Sequence, residues 1–141
     1  MRQVESSIYG MLDVKEQQIY RFEPGIAGLP DIKEYALFPM DGTPFFVLHA
    51  LEEEVNFILL PAHQAVSDYS FQLNDEVVEM LGLESAEDVA VMVVVNVTPE
   101  QLFVNLLAPI LLAPDSLKGC QYIIKDQELP IRHPLLQKEG P

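Results

Sequence analysis

Eleven prolines are spread along the 141 residues of this chain, and they limit what it can build. A proline fixes φ and has no amide to donate, so it interrupts helices and central strands alike. The apolar runs left between prolines and glycines are short and rich in Val, Ile, Leu and Phe. This punctuation predicts many short strands. The expected strands are 18–22, closed by Pro24-Gly25, and 35–38, ended by Pro39 with Asp41-Gly42 as a turn. Residues 45–51 and 55–60 read as a hairpin with Glu52-Glu53-Glu54 at its tip and Pro61 stopping the second arm. Residues 68–73 alternate, with Tyr69, Phe71 and Leu73 on one face.

Residues 89–97 are nearly all apolar and mostly β-branched, which predicts a central strand buried on both faces. Strands at 102–107 and 110–113, divided by Pro109, follow. A turn at 115–119 leads to a strand at 121–125. Residues 129–136 hold two prolines and read as an extended closing segment, and 138–141 as a frayed end. One stretch departs from the pattern. Asn74 can cap a helix whose first turn holds Asp75 and Glu76, Val77, Val78 and Leu81 fall at helical spacing, and Gly82 can end it. Ser85 caps a second helical turn through Asp88. The expectation is an all-β, mainly antiparallel fold: a small β-barrel or barrel-like sandwich with one or two short helices, which leaves no open sheet edge. Residues 1–141 are expected to form a single domain with its core at about 18–136.

Charge, unlike proline, is distributed unevenly. Net charge is −14, from 22 acids and 8 bases. From residue 34 to 117 there is no Lys or Arg, while that stretch holds 14 acids. Such a chain repels phosphate backbones and anionic lipid, which excludes direct nucleic-acid and membrane-surface binding. Like charge keeps a surface soluble; it also attracts a basic protein partner. The N-terminus lacks the apolar core of a signal peptide, and no run reaches the roughly 20 residues of a spanning helix, so a cytoplasmic protein is expected.

Enzyme motifs are missing: G-x-S-x-G, the P-loop, G-x-G-x-x-G and H-E-x-x-H do not occur. The single Cys120 reads as a small buried hydrophobe. His49 lies in an apolar strand and reads as a hydrogen-bonded core residue, and His63 as a surface residue. The three His are too far apart in sequence to suggest a zinc site. No metal, cofactor or catalytic residue is expected. Arg132 reads as pairing with carboxylates of the body to pin the tail.

Several segments, in order, resemble the flagellar assembly factor FliW family of bacteria. Asn105-Leu106-Leu107-Ala108-Pro109-Ile110, then Lys118-Gly119-Cys120-Gln121, then Pro130-Ile131-Arg132-His133-Pro134-Leu135 are similar to its N-L-x-A-P-I, K-G-x-Q and P-I-R-H-P-L signatures. Upstream, Gly25-Ile26-Ala27-Gly28-Leu29 and Pro44-Phe45-Phe46 look like its G-[IL]-P-G-F loop and P-F-x strand start. The resemblance implies a non-enzymatic small β-barrel that binds flagellin and the carbon storage regulator CsrA, a small basic RNA-binding dimer. The implied logic is a partner switch that relieves the regulator's block on flagellin translation. The alternatives are a flagellin chaperone without regulatory action and a small-molecule enzyme using Cys120 or a His. The expected regulator face comprises Glu52, Glu53, Asp68, Asp75, Glu76 and Glu79. Asn105, Arg132 and His133 carry the signature, as scaffold first and contact second.

Overall fold

A computed structural model describes residues 2–135; Leu136 and the expected frayed end lie outside them. Ten strands, two α-helices and two 3₁₀ turns are formed. A separate antiparallel hairpin, β1 (Arg2–Ser6) and β2 (Gly10–Val14), comes first. The remaining strands are β3 (Ile19–Arg21), β4 (Glu34–Pro39), β5 (Phe46–Ala50), β6 (Asn56–Pro61), β7 (Ala90–Val97), β8 (Leu102–Ala113), β9 (Lys118–Gln121) and β10 (His133–Pro134). Between β6 and β7 lie α1 (Ala62–Ala65) and α2 (Asp75–Leu81).

Seven strands close on themselves in the order β8-β7-β6-β5-β4-β3-β9, with β9 pairing back to β8 and β10 added on the free half of β8. Every pairing is antiparallel except the single β3–β9 contact, Arg21 opposite Lys118. The expected barrel is therefore the fold.

Outward-facing side chains that are also covered explain why segments such as 89–97 read as continuous apolar runs. Tyr35, Leu48, Leu59, Met92, Ile110 and Leu112 pack in one cluster with Phe22, inside the barrel. Their neighbours point outward and are also covered. Val93, Val95, Val104 and Leu106 lie beneath α1 and the C-terminal segment. Leu111, Ala113 and Cys120 lie beneath α2. Ala36 and Ile19 lie beneath the β1–β2 hairpin. Double coverage holds for only part of β7: Val97 is 63% exposed at its end.

Helix α2 has the expected bounds and caps. Asn74 Oδ1 accepts from Val77 N–H, and Gly82 adopts the left-handed conformation at φ 71°. Ser85 starts a 3₁₀ turn at Ala86–Asp88, as expected. Three readings need correction. Residues 68–73 form no ladder; their apolar side chains still alternate inward, but the segment has no strand beside it. Pro109 does not divide a strand, because β8 runs through it as a bulge. Strand β9 is Lys118–Gln121, so it occupies the expected turn and shares only Gln121 with the strand expected at 121–125. The β1–β2 hairpin and α1 carried no periodic signal strong enough to be read.

The candidate functional site: a signature knot and an apolar groove

The bulge in β8 is built by the signature residues. Opposite β7, the register passes from Met92–Ile110 to Val94–Asn105, so Leu106–Pro109 have no β7 partner. Asn105 Oδ1 accepts from Leu107 N–H at 3.0 Å and Ala108 N–H at 3.1 Å. Pro109 fits because the bulge asks for no donor there. The displaced carbonyls are all taken up. Leu106 O accepts from the Tyr69 hydroxyl. Leu107 O accepts from Ile124 N–H and Pro109 O from Tyr122 N–H, both at 2.9 Å. Ala108 O accepts from Gln121 Nε2. Gln121 Oε1 in turn accepts from Ala27 N–H at 2.9 Å, which ties in the Gly25–Leu29 loop. Gly119 is required by contact: a Cβ there would sit 2.6 Å from the Phe22 ring. Three of the signature segments, at 25–29, 105–110 and 118–121, thus meet in one hydrogen-bonded knot, which Leu106 N–H extends to Pro130 O, while Pro44-Phe45-Phe46 lies apart from it.

Arg132 is corrected. Among the described residues its guanidinium joins no carboxylate; it lies 4.4 Å over the Phe103 ring. His133 pairs in β10 opposite Val104. Asn105 is half-buried in the bulge, a scaffold residue as read from the sequence.

At one end of the barrel lies a groove of about 1080 Å³. Leu37, Phe46, Met92 and Leu112 come from the barrel rim, Tyr69, Phe71 and Leu73 from the extended segment, and Val78 from α2. His63, Glu84 and Ser85 are among its few polar lining groups. The extended wall is held by aromatic contact instead of a ladder. Tyr69 meets Phe71 edge-on at 5.5 Å, Phe71 stacks on Tyr122 at 5.7 Å, and Tyr122 Oη donates to Gln72 O. Burial pushes the Tyr69 phenol up to about 12. Sequence reading missed this groove, because its walls come from separate segments; the alternation at Tyr69, Phe71 and Leu73 was its one visible sign.

The six acids expected to form one face do not share one. Asp75, Glu76 and Glu79 are exposed on α2, whose Val78 lines the groove, and Asp68 directly precedes the lining residue Tyr69. Glu52 and Glu53 sit at the far end of the β5–β6 hairpin, where neighbouring Glu54 accepts from Ser7. Among the described residues no group of three His, Cys, Asp or Glu side chains is placed to hold a metal, and no helix is long and apolar enough to cross a membrane. His49 is fully buried, with Nδ1 donating to Ala50 O and Nε2 hydrogen-bonded to the Ser6 hydroxyl at 3.1 Å. Cys120 is buried beneath α2, and desolvation raises its thiol to about 11. Among the described residues it is packed by apolar side chains and by Tyr122, with no hydrogen-bond or charged partner on its sulfur.

A sequence profile described as "FliW protein" matches residues 3–135. This chain belongs to the FliW family. The flagellar assembly factor FliW of Caldicellulosiruptor bescii is 38% identical over 138 residues, covering 95% of this chain and 90% of the relative. That of Clostridium novyi is 35% identical over 141 residues, covering 97% and 98%. A crystal structure of the flagellar assembly factor FliW matches with a TM-score of 0.88 at 26% identity, covering 99% of this chain and all of the other. Membership in the FliW family makes this chain a flagellar assembly factor.

Proposed function

We propose that this protein is a non-enzymatic cytoplasmic regulator that binds flagellin in the groove and the translational regulator CsrA on the acidic surface beside it. The observation that carries the reading is adjacency. Helix α2 presents Val78 to the apolar groove and exposed Asp75, Glu76 and Glu79 to solvent. The terminal segments of flagellin are amphipathic helices, and an apolar groove covers such a face. A small basic dimer is drawn to a surface that bears anionic groups alone. Because the two sites share one short helix, occupancy of one opposes the other, and that is a partner switch. Net charge of −14 gives the protein no affinity for messenger RNA, so it acts on the regulator itself.

The test is a competition titration. Purified chain should bind flagellin and the CsrA dimer separately, and flagellin should displace the dimer. The CsrA complex should weaken as salt rises, because exposed charges are screened beyond about 8 Å at 0.15 M. Capture of flagellin without any binding of the dimer at low salt would leave a chaperone and remove the switch.

A further inference from the structure

Tyr69 belongs to two structures at once. Its ring lines the groove, while its hydroxyl donates to Leu106 O in the bulge. Leu106 N–H donates to Pro130 O at 3.0 Å, the first anchor of the C-terminal segment. Beyond it the segment is held by the two-residue strand β10, by Leu135 N–H donating to Leu102 O at 2.9 Å, and by Arg132 over Phe103. Tyr69, Leu106, Leu129 and Leu135 also share one apolar cluster. Since Leu106 has no partner on β7, its carbonyl has no ladder bond to fall back on when the phenol leaves.

We propose that occupancy of the groove is coupled to docking of the 129–135 segment through Tyr69 and Leu106. The inference rests on reading the groove as the flagellin site. In the free state Tyr69 is turned in and the segment is docked. An occupant that draws the Tyr69 ring toward itself removes the hydroxyl from Leu106 O, loosens Leu106 and releases the segment that bears Arg132 and His133. Both moving parts are weakly held: the wall has no ladder and the segment has two ladder residues, so each opens at low cost. Linkage makes the effect reciprocal, so a partner that pulls the segment away changes groove affinity by the same factor.

The experiment is amide hydrogen exchange, read by NMR at Leu106 and Leu135. Tyr69→Phe keeps the ring and removes the donor. It should speed exchange at both amides by about 3- to 10-fold, the worth of one hydrogen bond. Tyr122→Phe loses its bond to Gln72 O but leaves Leu106 alone, and should leave both amides unchanged. Full-length flagellin in excess should accelerate the same amides in the natural chain and add nothing in Tyr69→Phe. Unchanged exchange in Tyr69→Phe overturns the coupling, and so does equal acceleration in both variants. Flagellin that binds without moving these amides overturns it as well. Flagellin that fails to bind sinks the groove reading, while the comparison of the two variants still decides the coupling.

Discussion

The knot around Asn105 and the groove wall at residues 68–73 touch through Tyr69, yet they are built by opposite means. In the knot, the carbonyls from Leu106 to Pro109 each have a partner, and Pro109 stands where no donor is needed. In the wall, Ser70 to Leu73 lack a ladder and are held by the Tyr69–Phe71–Tyr122 aromatic run and by side chains that reach their carbonyls. The knot carries the signature, whereas no signature residue lies in the wall. A recognisable motif in this chain marks the place where geometry is demanding, and the groove proposed to take a partner is made of residues that only need to be apolar or anionic.

This contrast can be broken by mutation. Changes in the knot should cost stability and changes beside the groove should cost binding. The largest effect is expected for Gly119→Ala, whose Cβ would meet the Phe22 ring at 2.6 Å and Leu111 O at 3.1 Å. It should lose about 2–3 kcal/mol in chemical denaturation. Asn105→Ala leaves the Leu107 and Ala108 amides without their acceptor, a loss of about 2 kcal/mol in the same measurement. Either variant behaving like the natural chain would deny the knot its structural role.

Smaller effects sharpen the comparison. Tyr35 Oη is buried in the barrel with no partner among the described residues, so Tyr35→Phe should raise stability by about 1 kcal/mol. The combined Asp75→Asn, Glu76→Gln, Glu79→Gln variant should change stability by less than about 0.5 kcal/mol, since the three acids are exposed. It should weaken CsrA binding at low salt, measured by titration calorimetry. Cys120 supplies a pH test. Its thiol is raised from 9.0 to about 11, so the folded state holds the proton more tightly than the unfolded chain. The neutral thiol carries no penalty below pH 9, and stability should fall as pH rises from there through 11. Cys120→Ala should remove that part of the alkaline loss.

Much of this was readable from residue order. Helix α2, with Asn74 and Gly82 at its ends, and the β5–β6 hairpin around Glu52–Glu54 follow from local chemistry, and so does the mainly antiparallel β class. The expected break at Pro109 failed because a proline's missing amide is harmless in a bulge, and the bulge exists only once β7 lies alongside. The strand expected at 68–73 failed for the converse reason: its alternation is real, but no neighbouring edge is left to pair with it. Arg132 found a ring instead of a carboxylate because β10 docks beside Phe103.

Sequence alone determined a mainly antiparallel β fold, the short helix and the base-free middle, because each depends on residues close together in the chain or on a simple sum of charge. Tertiary structure alone decided that three signature segments close one knot, that the acids divide between two ends, and that apolar side chains from distant segments line a groove. Those outcomes depend on which strands become neighbours, and a closed barrel brings together residues as far apart as Ala27 and Gln121.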